Sequence, residues 1–243
     1  MLNEQTINKL NAMKLNGMAD AYEEQQKQPR INELSFNERF SLLVERQWLW
    51  RENRALQGRL NFAQLKEQAC VEDLDFRESR GLKRSIIDQL SACDWVRFHQ
   101  NVIVTGSTGT GKTYLACALA HKACREGYRS LYFYAPKLFR EMTLAHADGS
   151  IPKLLKKMAR TQLLVIDDWG LSKLNDQDYR HFLELLDDRQ GCGATLITSQ
   201  FPLKTWHETI PDPTLADAIV DRLIHNAHRI EMKGESMRKR KSQ

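Results

Sequence analysis

The chain has 243 residues, of which 42% are hydrophobic and 28% charged, and this length suffices for one large domain or for one domain with an appendage. It contains no apolar run near the roughly 20 residues needed to span a bilayer and begins without an apolar signal core, which predicts a cytoplasmic protein with no membrane contact. Its five cysteines form no C-x-x-C pair, so disulfides and a cysteine metal site are not expected.

The N-terminal part of the chain shows only helical patterns. Ser35 and Glu38 form a capping box, in which each side chain can bond to the backbone N–H of the other residue. The long helix that follows carries an apolar stripe of Phe40, Leu43, Val44 and Trp48. We therefore expect a small all-helical domain at 1–70, used for oligomer, DNA or partner contacts. A second domain at 71–243 then begins with an aperiodic linker, 71–81.

Helical and β patterns alternate from residue 82 onward. The predicted strands are 102–104, 130–135, 163–167, 195–198 and 228–232. The predicted helices are 82–98, one that starts at 111, 136–147, 151–160, 175–189, 202–209 and 214–226. This alternation predicts an α/β fold whose parallel sheet is covered by helices on both faces.

The loop after the first strand matches the phosphate-binding pattern G-x-x-x-x-G-K-[ST] in full. Its residues are Gly106, Ser107, Thr108, Gly109, Thr110, Gly111, Lys112 and Thr113. Glycines permit backbone conformations in which the loop N–H groups point at phosphate oxygens, at a helix N-terminus that favours anions. Lys112 can then reach the β and γ phosphates, and Thr113 can ligate magnesium. The loop therefore predicts ATP and Mg²⁺ as cofactors.

Two adjacent acids follow the apolar run of the third strand. Asp167 stands at the carboxyl end of that strand, where an α/β sheet presents ligands, and it fits the magnesium-side carboxylate. Asp168 is expected to point another way and to polarise an attacking water. Asp168 is thus assigned, with Lys112, to catalysis.

The fourth strand ends in Thr198, Ser199 and Gln200, whose side chains would lie beside the γ phosphate if this strand lies between the other two. Of these residues, Ser199 is assigned to nucleotide binding and Gln200 to catalysis. Arg222, on a helix after this strand, is a candidate arginine finger that reaches the nucleotide of a neighbouring subunit. The alternative is a local ion pair with Asp221.

Basic residues cluster in two places. Four of them recur at the spacing of one helix face: Lys153, Lys156, Lys157 and Arg160. The C-terminal segment 229–243 holds six Lys or Arg and two Glu, which is +4 of the chain's net +5, and includes the predicted DNA contacts Arg238 and Lys239. Both clusters suit phosphate contacts with duplex DNA without base reading. A solvated helix face and a solubilising tail are the alternatives.

These motifs, in this order, resemble an AAA+ ATPase over residues 74–243. In more detail the chain resembles the IstB-like transposition helper ATPases, relatives of the DnaC helicase loaders and DnaA initiators. The closer resemblance is carried by "LSFNERFSLLVERQWLWREN", "GLKRSIIDQLSACDW", "DPTLADAIVDRLIHNAHRIEMKGES" and "KGESMR". It implies the AAA+ P-loop fold with a five-stranded parallel sheet and a truncated or absent C-terminal lid, since only eleven residues follow Met232. A second sensor is then either Arg238 or absent.

The resemblance also implies a function. The protein would form a homo-oligomer on target DNA, with ATP at the subunit interfaces, and would recruit or stimulate a separate transposase. Hydrolysis of ATP to ADP and phosphate would be slow, because Asp168 replaces the longer Glu of many AAA+ proteins, and it would be DNA-stimulated. Gln200 likewise replaces the more usual Asn. Two alternatives stay open: a DnaC-like replicative helicase loader, and a nucleotide-switched scaffold that barely turns ATP over.

Overall fold

The computed structural model describes residues 2–76, 81–172 and 174–237. The chain divides into two compact units, Met1–Gly58 and Arg59–Gln243. Among the described residues, no helix combines the length and the apolar character needed to cross a lipid bilayer.

The described residues form eleven α-helices and five strands. The helices are α1 (Leu2–Ala12), α2 (Asn16–Lys27), α3 (Phe36–Ala63), α4 (Arg84–Ser91), α5 (Asp94–Arg97), α6 (Lys112–Arg125), α7 (Ala135–Ala147), α8 (Ile151–Ala159), α9 (Asp176–Arg189), α10 (Trp206–Thr209) and α11 (Pro213–Ile224). The strands are β1 (Asn101–Gly106), β2 (Ser130–Tyr134), β3 (Leu163–Trp169), β4 (Ala194–Ser199) and β5 (Ala227–Met232). The division between the two units falls within α3.

The predicted capping box at the start of α3 is confirmed. The backbone N–H of Ser35 donates to the Glu38 carboxylate at 2.7 Å, and the backbone N–H of Glu38 donates to the Ser35 hydroxyl at 3.4 Å. The predicted apolar stripe of α3 is largely exposed, however, with Phe40 at 50% and Trp48 at 66%. The first unit instead buries Gln47, whose side chain accepts a hydrogen bond from the backbone of α2.

The second unit is built on one five-stranded sheet with the order β2-β3-β4-β1-β5, and every strand pair is parallel. Because side chains alternate along a strand, Val102 and Val104 pack on one face and Ile103 on the other. The first face is covered by α4, α5 and α6, and the second by α7 to α11. The predicted α/β fold with a parallel five-stranded sheet is thus confirmed.

Two local predictions were wrong. The single helix expected at 82–98 is two helices, α4 and α5, because Cys93 between them adopts a left-handed conformation (φ 60°). The start of the predicted linker is not a free connection, since Leu74 is buried against the first core face. A short 3-10 turn at Val71–Asp73 leads into that contact.

Candidate nucleotide-binding site

The phosphate-binding loop lies between β1 and α6, at the carboxyl edge of the sheet. Gly109 and Gly111 have positive φ angles of 84° and 93°, which side chains with a Cβ rarely adopt. A Cβ on Gly109 would also lie 2.2 Å from the hydroxyl oxygen of Ser236. The C-terminal segment therefore crosses the loop here, and the backbone N–H of Met237 donates to the carbonyl of Gly109 at 2.9 Å.

Lys112 begins α6 and is only 5% exposed. Its ammonium donates to the carbonyl oxygens of Gly106 at 2.8 Å and Ser107 at 3.0 Å, so the side chain folds over its own loop. The loop thus carries a fixed positive charge at a helix N-terminus, where the backbone dipoles also favour an anion. This arrangement suits the phosphates of a nucleotide.

Thr113, the residue after Lys112, contacts Asp167 near the end of β3. The Thr113 hydroxyl donates to the two Asp167 carboxylate oxygens at 2.9 and 3.1 Å, and Asp167 is fully buried. Hydroxyl and carboxylate oxygens are ligands that Mg²⁺ accepts, and Mg²⁺ is commonly held by one or two carboxylates together with substrate phosphates. The side chains present therefore fit a magnesium–nucleotide site, with Thr113 and Asp167 as the protein ligands.

Two further hydroxyls converge on Asp167. Tyr132 of β2 donates to one carboxylate oxygen at 2.7 Å, and Thr198 of β4 donates to the other at 2.6 Å. Burial raises the pKa of Tyr132, and the neighbouring Asp167 charge raises this pKa further, so the phenol stays protonated and donates. The carboxylate is held in one orientation by hydroxyls from two strands and a helix.

Asp168 differs sharply from its neighbour. It adopts a left-handed conformation (φ 60°), where the register between β3 and β4 shifts, and its backbone N–H donates to the Thr198 hydroxyl at 2.9 Å. Gln200 approaches the Asp168 carboxylate at 3.5 Å and accepts a 2.6 Å hydrogen bond from Thr108 of the phosphate loop. The turned backbone separates the two acids, as the sequence predicts, and Gln200 connects Asp168 to the loop.

Ser199 occupies a different environment from the one expected. β4 does lie between β1 and β3, so the condition for a polar strand end beside the site is met. Ser199 is nevertheless fully buried, and its hydroxyl donates to the Trp169 carbonyl at 2.9 Å and accepts from the Phe201 backbone at 3.1 Å. Thr198 is therefore the residue of this strand that contacts both acids.

Arg222 lies near the amino ends of the strands, whereas the phosphate-binding loop lies at their carboxyl ends. It is in the last turn of α11, and the Asn101 side chain at the start of β1 donates to its backbone carbonyl at 3.1 Å. Its guanidinium forms an ion pair with Asp187 of α9 and donates to the carbonyl of Ala218 at 2.9 Å. The ion-pair partner is thus on another helix and is not the adjacent Asp221.

The predicted basic helix face exists in α8 and at its C-cap. All four basic residues are exposed: Lys153, Lys156, Lys157 and Arg160. The opposite face of α8 buries Leu155 and Met158 in the core. The Lys157 ammonium lies 5.8 Å from the centre of the Phe62 ring. The other predicted DNA contacts, Arg238 and Lys239, fall outside the described residues, as does the candidate second sensor.

Sequence reasoning missed two side chains at Asp167, and it named Thr198 as a polar strand end without a contact to this carboxylate. Tyr132 lies on the strand next to β3, and the alternation of side chains along that strand would have placed it on the correct face once the register was known. The second is Lys66, whose ammonium lies 3.8 Å from the Asp167 carboxylate. No pattern in the sequence connects that lysine to the site.

The chain is similar to known proteins over almost its whole length. The family described as IstB-like ATP binding protein matches residues 8–243. A protein of Sinorhizobium fredii that bears the name insertion sequence ATP-binding protein is 48% identical over 239 residues, which cover 98% of each chain. A protein of Pseudomonas fluorescens named for ATP binding in insertion sequence IS1162 is 43% identical over 206 residues, which cover 84% of this chain and 89% of that protein.

Solved structures share the fold. The crystal structure of the DnaI superposes with a TM-score of 0.58 and 24% identity, over 68% of this chain and 92% of that one. DnaA from Aquifex aeolicus, bound to AMPPCP, superposes with a TM-score of 0.60 and 18% identity, over 72% of this chain and 53% of that one. At these identities the likeness concerns the fold alone, and it confirms the predicted AAA+ P-loop fold.

Proposed function

The chain belongs to the IstB-like ATP-binding family, and from that membership we propose that it is an ATP-dependent, DNA-binding helper of transposition. It assembles on target DNA and recruits or stimulates a separate transposase. Names of relatives that refer to ATP binding in insertion sequences support this proposal. The observation that carries its ATP dependence is the contact between Thr113 and Asp167 at the end of a complete phosphate-binding loop.

ATP binding and hydrolysis follow from the side chains around that contact. Lys112 neutralises the β and γ phosphates, while Thr113 and Asp167 hold magnesium, which when bound neutralises charge on the phosphate oxygens. Asp168 orients and polarises the attacking water, and its turned backbone keeps it apart from the magnesium side. Gln200 contacts both Asp168 and Thr108 of the phosphate loop, and so it positions the Asp168 carboxylate relative to the bound nucleotide.

The position of Arg222 supports action between subunits. The phosphate loop begins at Gly106, the last residue of β1, whereas Arg222 lies beside Asn101, the first residue of the same strand. The six residues of β1 span about 17 Å. An arginine side chain extends only about 7 Å from its Cα, so Arg222 cannot reach the nucleotide of its own subunit without a rearrangement. In a homo-oligomer it completes the site of a neighbour.

DNA binding is assigned to the exposed basic face of α8. The three lysines of α8 and the C-cap Arg160 project from a helix whose other face is fixed in the core, so the backbone holds these cations on one face at a constant spacing. We assign the basic C-terminal residues Arg238 and Lys239 to the same role on the basis of their charge. Contacts of this kind bind duplex DNA largely without regard to sequence.

Turnover and partner choice test the proposal together. Steady-state ATP hydrolysis is measured with and without duplex DNA, with Lys112→Ala as the inactive control. DNA should raise the rate of the wild-type protein and leave Lys112→Ala inactive. Capture of the transposase from the same insertion sequence, with ATP and not without it, is the second expected result. No turnover under any condition would indicate a nucleotide-switched scaffold, and capture of a replicative helicase in place of the transposase would indicate a helicase loader.

A further inference from the structure

Lys66 forms an ion pair with the magnesium-side carboxylate of the nucleotide site. Its ammonium lies 3.8 Å from Asp167 and 5.1 Å from the centre of the Tyr134 ring. We propose that Lys66 competes with magnesium for Asp167, and so sets the magnesium concentration at which nucleotide binds tightly. This inference rests on the proposed function, because it takes Asp167 as the magnesium-side carboxylate.

The backbone around Lys66 is fixed beside the site. Helix α3 ends at Ala63, which is fully buried, and Gln64 follows in a left-handed conformation (φ 51°) that turns the chain. Leu65 then packs against the first core face, and Ala69 is 2% exposed within it. Lys66 is therefore held between two anchored positions, and only its side chain is free to change direction.

The charge of Asp167 explains why a cation is held there. A buried carboxylate loses its hydration, and hydroxyl donors alone replace only part of it. Asp167 has no exposed surface, and its hydroxyl donors carry no net charge. The Lys66 ammonium therefore contributes a compensating positive charge to this carboxylate.

The same pair has the properties of a displaceable contact. Its separation of 3.8 Å exceeds the roughly 2.7–2.9 Å of a direct charge-assisted hydrogen bond. The Lys66 side chain is 43% exposed, so its ammonium keeps much of its hydration and can leave the carboxylate at small cost. The Tyr134 ring, 5.1 Å from the ammonium, favours a cation over its face and can keep the lysine near the site when it leaves Asp167.

Competition follows from charge repulsion. A divalent cation on the Asp167 carboxylate and an ammonium about 4 Å from the same oxygen repel each other, although water around the partly exposed ammonium weakens the repulsion. The lysine must therefore move away for the metal to bind with full affinity. Removal of the lysine charge should strengthen metal binding, whereas removal of a true phosphate ligand would weaken nucleotide binding.

The test compares the magnesium dependence of nucleotide binding in matched variants. Binding of a fluorescent ATP analogue is titrated in EDTA and at increasing MgCl2 for the wild-type protein, Lys66→Met and Lys137→Met. Lys137 is a suitable control because it is also an exposed lysine in an ion pair, but its partner is Glu141 on the same helix. Thermal unfolding with MgCl2 and no nucleotide gives a second readout that does not depend on activity.

The expected result is that Lys66→Met needs an about two- to fivefold lower magnesium concentration for half-maximal binding, as for loss of a partly exposed ion pair. Its affinity in EDTA should match that of Lys137→Met, and magnesium alone should raise its unfolding temperature more than that of the wild type. A midpoint equal to that of the control, or weaker binding of nucleotide in EDTA, would overturn the inference. Failure of the wild-type protein to bind nucleotide in either condition would instead reject the proposed function.

Discussion

The Asn101 side chain donates a hydrogen bond to the backbone carbonyl of Arg222 at 3.1 Å, which fixes the C-terminal turn of α11 at the start of β1. The phosphate-binding loop begins where the same strand ends. Arg222 and the phosphate-binding loop, which are proposed to act on one nucleotide, therefore lie at opposite ends of the strands. This separation favours an active site shared between neighbouring subunits.

Thr198→Val should impair hydrolysis more than Ser199→Ala. Thr198 contacts both acids, whereas the Ser199 hydroxyl contacts the Trp169 carbonyl and the Phe201 backbone. Both residues are fully buried and hydrogen-bonded, so each change should lower the free energy of unfolding by about 1–3 kcal/mol in a urea titration. Only Thr198→Val should also slow ATP turnover. Equal turnover in the two variants would show that Thr198 does not position the acids.

Asp168→Asn should keep ATP binding and lose hydrolysis. The amide preserves the shape of the side chain but cannot accept the proton of an attacking water, for which a loss of about 10²-fold or more in turnover is typical. Fluorescence titration of ATP gives the affinity, and single-turnover hydrolysis gives the rate. If this variant loses ATP affinity as well, Asp168 belongs to the binding site and its assignment as the base is wrong.

The α8 face should contribute to DNA binding through charge alone. Replacement of Lys153, Lys156, Lys157 and Arg160 by Ala should flatten the log–log dependence of DNA affinity on salt by about 0.9 for each lost phosphate contact. Filter binding or fluorescence anisotropy between low and moderate salt measures this slope. The exposed cations Lys83 and Lys204 lie outside α8 and serve as the control, with the change in slope compared per replaced residue. A slope that changes equally per residue in the two sets would mean that α8 is an ordinary solvated surface.

The cysteines should divide sharply in reactivity at pH 8. Burial raises the pKa of Cys93 and of Cys117 to about 11, so both are neutral thiols at this pH and also lack access to a reagent. Cys192 is exposed and should react first with a disulfide reagent such as DTNB. Cys192→Ser should remove that fast phase. Fast modification of Cys93 or Cys117 in the native protein would contradict the packing described for the first core face.

The parts of the site that the sequence predicts are those formed by neighbouring residues. The phosphate loop and the acids after β3 follow from local patterns, because a parallel sheet presents its carboxyl strand ends at one edge. Lys66 meets Asp167 only through packing of Leu65 and Ala69, which no local pattern encodes. Likewise Arg222 pairs with Asp187 and not with Asp221, since adjacent residues on a helix do not face each other.

Mixing of two inactive variants tests the shared active site most directly. Lys112→Ala should lose ATP binding and keep an intact Arg222, while Arg222→Ala should bind ATP and lack the arginine, which typically contributes about 10³-fold or more to the rate when supplied by a neighbour. Subunit exchange is first established by fluorescence transfer between labelled chains, and ATP hydrolysis is then measured across mixing ratios. Activity, absent in each variant alone, should return in the mixtures and be highest near equal amounts. Activity that stays flat at every ratio, although the subunits exchange, would rule out a site shared between subunits.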